Sequence, residues 1–207
     1  RKYKGKLIVP SLNNYLNLKP KIKNKYLKLD INDENMAFVF LVSKLLKIRK
    51  KEFLNSLKTF KGLPHRYEIF LKKKNCIFIN DSKATTFQAT KYALKNTKNI
   101  YWIVGGQPKK NEKILLKSLK KNIIKSYLIG KNINFFKKQI KFNVEYFIAG
   151  NLKNSIVQIM RDIRTQNKKN NSILLSPASA SYDQFLNFEE RGNKFKKLSI
   201  KYARKYI

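Results

Sequence analysis

The sequence predicts an α/β fold, a mostly parallel sheet with helices on both faces, and three observations carry that prediction. From about residue 67, short apolar runs alternate with amphipathic segments, the order that sets parallel strands beside crossover helices. One run, Ile100-Tyr101-Trp102-Ile103-Val104, lacks polar alternation and ends in Gly105-Gly106, as a strand buried on both faces does. The chain has 207 residues with 43% hydrophobic content, enough for one good core and part of another.

Taken in order, residues 67–71 and 76–80 flank Lys72-Lys73-Lys74-Asn75 and read as a β-hairpin. A helix is expected over 86–96, with Thr85 or Thr86 placed to cap it. After the strand at 100–104, a helix at 112–121 leads to a strand at 126–129. A helix at 132–139 then precedes a strand at 144–148. Beyond Gly150, Leu152, Ile156, Ile159, Met160 and Ile163 mark one face of a 3.6-residue period, with Asn151 as the cap. A strand at 172–175 runs into Ser176-Pro177-Ala178, and a last helix is expected from about Tyr182 to the end.

Residues 1–60 differ in pattern. Two short strand-like pieces, 6–9 and 26–29, precede an apolar helix at 34–46 and a shorter one at 51–60. The segment reads as the tail of a preceding domain. Gly62 and Pro64 punctuate the chain, so the boundary is set between 1–61 and 62–207.

Lys and Arg number 47 against 12 Asp and Glu, a net charge of +35. Such a balance would suit nucleic acid. Yet Lys50-Lys51, Lys109-Lys110, Lys137-Lys138, Lys168-Lys169 and similar groups recur all along the chain instead of clustering. No specific nucleic-acid partner is therefore expected; a stand-alone basic binding module is the rival from another class. The apolar run 36–42 is far too short for a membrane span, and Leu7-Ile8-Val9-Pro10 is too short for a secretory core. A single cysteine, Cys76, fits a reducing, cytoplasmic setting. One histidine and one cysteine cannot build a usual zinc site, so no metal ligand is expected, and no Walker loop or G-x-G-x-x-G occurs.

Three loops fall where such a sheet binds ligands, beyond the carboxyl ends of strands. Asn80-Asp81-Ser82-Lys83-Ala84-Thr85 joins a strand to a helix start; a cation and hydroxyls beside free N–H groups suit a phosphate or carboxylate, though a plain capped turn would look the same. Gly105-Gly106-Gln107-Pro108-Lys109 is a flexible turn with a cation. Residues 176–185 (SPASASYDQF) offer small residues and hydroxyls. Physics alone supports an anion site at the sheet edge.

Gly62-Leu63-Pro64-His65-Arg66-Tyr67-Glu68, the lysine loop, and residues 174–191 (LLSPASASYDQFLNFEER) followed by Gly192 resemble, in order and rough spacing, the D-glutamate-adding branch of the Mur ligase family. The resemblance covers about residues 30–207. It implies that 62–207 is the family's Rossmann-like C-terminal domain and 1–61 the tail of its central ATP-binding domain. It implies ATP and Mg²⁺ as cofactors, and UDP-N-acetylmuramoyl-L-alanine, D-glutamate and ATP as partners of a monomeric full-length enzyme. Lys83 would be catalytic and near the phosphates; Arg66 and Asp81 would contact ATP, with Asn32 and Asn35 also near the nucleotide. Thr85, Lys109, Ser181 and the backbone near Phe188 would hold the D-glutamate carboxylates. The chain departs from the family at Ile31, a usual histidine, and at Gln107-Pro108, where an acidic and a flexible residue are usual. The UDP-sugar domain and P-loop are missing, so the chain alone is not expected to catalyse. The enzymatic rival is another Mur or folylpolyglutamate-type amide ligase. His65 is expected to be a structural or domain-orienting residue and not a base, Cys76 a half-buried strand thiol and Trp102 core.

Overall fold

The computed structural model describes residues 5, 7–24, 26–166 and 169–207. The basic opening stretch apart from Gly5, Lys168, and Lys6 of the strand expected at 6–9 lie outside these. The chain divides into two compact units, Arg1–Gly62 and Leu63–Ile207.

The first unit is helical among its described residues: α1 (Leu12–Leu16), α2 (Asp33–Leu45) and α3 (Lys50–Ser56). Neither expected strand forms. Residues 7–10 have no regular structure and 26–29 are a turn and bend. Asn24 explains the turn, because its Oδ1 accepts from the backbone N–H groups of Tyr26 and Leu27 at 3.0 and 3.2 Å. Such local side-chain bonds compete with sheet pairing. Tyr15, Leu18, Ile22, Leu27, Met36, Ala37 and Phe53 form a small core. Phe38, Val39, Val42, Leu45 and Leu46 of α2 and its C-terminal cap remain exposed.

The second unit holds a six-stranded sheet ordered β1-β2-β6-β3-β4-β5. The strands are β1 (Glu68–Lys73), β2 (Cys76–Asn80), β3 (Ile100–Gly105), β4 (Ile123–Ile129), β5 (Tyr146–Gly150) and β6 (Asn171–Leu175). Only β1 is antiparallel, paired with β2 as the expected hairpin; the other pairings are parallel. Helices α4 (Phe87–Asn96), α5 (Ile133–Ile140), α6 (Leu152–Gln166) and α7 (Phe188–Tyr206) connect and cover it. Alternate residues feed opposite faces. Ile79, Trp102, Val104 and Leu174 pack with α4 and α5, while Phe78, Tyr101, Ile103 and Ile173 pack with α6 and α7. Cys76 is 1% exposed, deeper than the half-buried thiol expected, and Trp102 is core.

Two expected helices are corrected. Residues 112–116 are irregular, and only a short 3-10 turn at Lys120–Asn122 precedes β4. Here Ile114 and Leu116 are buried while Leu115 is exposed, a period of two that an extended chain satisfies. Gln139 Oε1 accepts from Ile114 N–H at 2.7 Å, and Glu112 Oε1 takes the Phe87 N–H at 2.8 Å, so these residues spend their hydrogen bonds on neighbouring elements. The final helix begins at Phe188, not Tyr182, because Asn187 caps it: its Oδ1 accepts from Glu190 N–H at 2.7 Å, and Glu190 Oε2 reaches back to Leu186 N–H at 2.8 Å. Residues 176–187 form instead an irregular strap. Among the described residues no helix is long and apolar enough to cross a membrane.

Candidate active site

The connections after β2, β3 and β4 lead to elements on the α4/α5 face, whereas those after β5 and β6 lead to α6 and α7. Because β6 lies between β2 and β3, neighbouring chains diverge at its carboxyl end. Divergence of this kind opens the crevice where such sheets take ligands.

The lysine loop turns there. Asp81 N–H bonds to Leu175 O at 2.8 Å, so the loop leaves β2 still tied to β6. The Asp81 carboxylate is buried; Oδ1 accepts from Tyr67 N–H at 3.0 Å and Oδ2 from the Ser176 hydroxyl at 2.7 Å. Burial pushes this carboxyl up to about 7, against the opposing pull of those two bonds and of Arg66. Lys83 N–H donates to His65 O at 3.0 Å, and Thr86 caps α4 by accepting from Ala89 N–H. Lys83 Nζ lies 3.8 Å from the centroid of the Phe188 ring.

His65 is held inside the fold. It is buried at φ 63°, and its Nδ1 meets Asn80 Nδ2 at 2.9 Å. Desolvation lowers its pKa and favours the neutral ring. Gly192 passes close behind: a Cβ there would stand 2.2 Å from His65 Nδ1. This contact is the physical reason the two ends of the motif set, Gly62–Glu68 and Gly192, belong together.

The other two loops meet each other. Gly105 N–H donates to Pro177 O at 3.0 Å, and Gln107 pairs with Ala180 in an isolated bridge. Gly106 has φ 137°, and a Cβ there would meet Ala180 O at 2.3 Å, so glycine is required twice over. Further along the strap, Asp183 Oδ2 accepts from Lys131 N–H and Gln184 Nε2 donates to Gly150 O, each at 2.8 Å. The strap therefore crosses the carboxyl ends of most of the parallel strands.

Arg191 had no assigned role in the sequence, yet it joins the arrangement. It is 1% exposed; its Nε donates to Ser82 Oγ at 3.0 Å, and its Nη2 to Ser82 O at 2.8 Å and Ser179 O at 3.1 Å. Burial lowers its pKa to about 10, which leaves it charged at neutral pH. Ser82 Oγ in turn donates to Phe188 O at 2.8 Å. The signal was available in the periodicity: Arg191 precedes Phe195, Ser199 and Ala203 at intervals of four and so falls on the buried face of α7, while Lys194, Lys197, Lys201, Arg204 and Lys205 are exposed.

Of the sequence-expected residues, Lys83 and Phe188 are in contact, Asp81 is buried at the start of the lysine loop against Tyr67 and Ser176, and Thr85 follows on the same loop. Ser181 is buried on the strap, while Arg66 and Lys109 are exposed. Asn32 and Asn35 are in the first unit, where Asn32 Nδ2 donates to Tyr26 O at 2.7 Å and Asn35 is exposed in the first turn of α2. Among the described residues no group of three or more His, Cys, Asp or Glu is gathered to hold a metal ion.

Solved structures share this fold. MurF from Acinetobacter baumannii matches with a TM-score of 0.55 at 14% identity, over 84% of this chain and 38% of that one. The bifunctional folylpolyglutamate synthase/dihydrofolate synthase from Yersinia pestis, solved with AMPPNP and Mn ion, matches at 0.54 and 14%, over 82% and 39%. No family model matches the sequence. The fold is one that Mur-type ligases share.

Sequence relatives narrow this. The UDP-N-acetylmuramoylalanine--D-glutamate ligase of Wolbachia sp. subsp. Brugia malayi is 40% identical over 172 residues, 82% of this chain and 34% of the relative. That of Rickettsia felis is 37% identical over 180 residues, 87% of this chain and 40% of the relative. The chain belongs to the Mur ligase family as a homologue of the C-terminal part of its D-glutamate-adding ligases, and it spans about a third to two fifths of their length.

Proposed function

We propose that this chain supplies the amino-acid-binding side of an ATP-dependent amide ligase, which joins D-glutamate to UDP-N-acetylmuramoyl-L-alanine through an acyl phosphate in peptidoglycan precursor synthesis. The observation that supports this reading is the convergence of three loops on one rim, with the Lys83 ammonium held beside Phe188 at the start of α7 and Arg191 bonded to both Ser82 and Ser179. In this reading residues 1–61 are the tail of a central ATP-binding domain and 62–207 a C-terminal domain. The chain alone is inactive, and the full enzyme is a cytoplasmic monomer.

A carboxylate resists attack by an amine because its charge repels the nucleophile and it lacks a good leaving group. Phosphorylation supplies the leaving group; the D-glutamate amine then attacks, and negative charge gathers on the tetrahedral intermediate. A cation fixed in advance lowers that barrier without reorganising as the charge develops. Lys83 fills this role. Thr85, Lys109, Ser181 and the main chain at Phe188 hold the two D-glutamate carboxylates. Arg66 and Asp81 face the nucleotide, as Asn32 and Asn35 do in the first unit. Both Asp81 oxygens already accept one bond within the fold, so a nucleotide hydroxyl would use their remaining lone pairs. The described residues offer no cluster fitting Mg²⁺, and no step is assigned to it on this chain.

In the intact ligase, Lys83→Ala is expected to abolish D-glutamate-dependent phosphate release from ATP while leaving UDP-substrate affinity nearly unchanged. Unchanged turnover would overturn the role of Lys83. Turnover driven by a different amino acid would overturn the substrate in favour of another amide ligase of the family.

A further inference from the structure

Phe188 enters the proposal above only through its main chain, yet its side chain does something separate. The Lys83 Nζ stands 3.8 Å from the ring centroid, within the range of a strong cation–π contact. The ring is itself fixed edge-on against His65, with centroids 5.9 Å apart and planes at 80°. His65 is the residue whose carbonyl accepts the Lys83 N–H at 3.0 Å. Behind the ring, the Phe188 carbonyl accepts from Ser82 Oγ at 2.8 Å, and that hydroxyl accepts from Arg191 Nε at 3.0 Å. Two neighbouring residues thus hold both ends of Lys83: its main-chain N–H at the His65 carbonyl and its ammonium at the Phe188 ring.

Lysine is poorly suited to precise work without such help. Its four-carbon stem carries about 2 kcal/mol of rotamer entropy, and its ammonium is a point charge with no fork to orient it. The side chain of Lys83 is only partly buried, and no carboxylate is paired with it among the described ion pairs. A carboxylate partner would also cancel the charge an anionic substrate needs. The face of an aromatic ring orients the ammonium and leaves its charge uncompensated.

We infer that the Phe188 ring is a positioning residue for Lys83, an uncharged shelf that holds the ammonium toward an incoming carboxylate or phosphate. This rests on the proposed function for its purpose, but its geometry can be tested without it.

The chain itself, labelled with ¹³C at the lysine ε carbons, provides the readout, the Lys83 signal being identified by its loss in Lys83→Arg. Ring current from Phe188 is expected to displace the Lys83 ε protons upfield of the exposed lysines. Phe188→Leu is expected to remove that displacement and Phe188→Tyr to keep it, with unchanged backbone amide spectra marking both as folded. Lys83 ε protons that coincide with exposed lysines in the unsubstituted chain, or that do not move in folded Phe188→Leu, overturn the inference. Should Phe188→Leu fail to fold, Phe188→Tyr and the unsubstituted chain still decide it. Titration with D-glutamate forms the second arm: Phe188→Leu is expected to weaken binding roughly two- to five-fold and Phe188→Tyr to restore it. Equal affinity across the series overturns the positioning role. Absence of any D-glutamate response, with the ring-current displacement present, counts instead against the proposed substrate.

Discussion

Asp81 and His65 flank the β1–β2 hairpin and are both buried, yet they respond to pH in opposite senses. The Asp81 carboxyl rises from 3.8 to about 7 on folding, first because it is desolvated. Between those values the folded chain keeps a proton that the unfolded chain has released. Its contribution to stability therefore falls as pH rises through that window, by ~1.4 kcal/mol for each pH unit crossed, and is level above it. His65, whose pKa falls below 6.5 through burial, contributes stability above 6.5 that is lost as pH drops. The two partly mask each other in a raw stability curve, so the informative comparison is with Asp81→Asn. That variant is expected to lose the decline between about pH 4 and 7 in denaturant unfolding. A decline of the same size in Asp81→Asn would show that the carboxyl is ionised throughout. At the same scale, Lys83→Ala and the Phe188 series separate the charge proposed to act in catalysis from the ring proposed to aim it.

Among the elements, α7 matters most because its first turn carries Phe188 and Arg191 into the site. Its start is determined by Asn187, Glu190 and the acidic pair Glu189 and Glu190 placed at the positive end of the helix dipole. Asn187→Ala is expected to cost about 1 kcal/mol of stability. It should also loosen Phe188, so the upfield displacement of the Lys83 ε protons should shrink although neither residue has changed. A stability loss with that displacement intact would mean that the strap, not the helix start, positions the ring. Much at this scale was legible beforehand. The hairpin, the strand at Ile100–Gly105, α4, and α6 with its Asn151 cap follow from periodicity and capping residues alone. The helix expected at 112–121 does not form because Ile114 and Leu116 obey a period of two, and Glu112 and Gln139 draw the segment's hydrogen bonds outward. The strap departs from expectation likewise, since Asp183 and Gln184 bond to backbone from the ends of β4 and β5, partners distant in sequence.

At the scale of the molecule, the two units differ in how completely they satisfy themselves. The second has an apolar cluster on each face of its sheet, built from residues almost wholly withdrawn from water. The first has one small cluster and leaves Phe38 58% and Leu46 67% exposed on or beside α2. Burial of apolar area at about 25 cal/mol per Å² is the main favourable contribution to folding, and the first unit forgoes much of it. Residues 63–207 produced alone are expected to unfold cooperatively, with the midpoint they show in the full chain. Residues 1–62 alone are expected to bind a hydrophobic dye and unfold without a sharp transition. A cooperative transition from 1–62 alone, without dye binding, would refute this account of their stability.

The sequence by itself determined the fold class, most strands and helices, and the family. Those depend on local periodicity, on capping, and on motifs whose residues lie close together along the chain. Only the tertiary structure decided how the motifs meet. Gly192 abuts His65, Arg191 links Ser82 to Ser179, and Phe188 lies under Lys83, pairs separated by about a hundred residues or more except for Ser179 and Arg191. Such contacts arise because the parallel crossovers return β6 between β2 and β3. Spacing along the chain does not encode that neighbourhood; hydrogen bonding and packing across the sheet do.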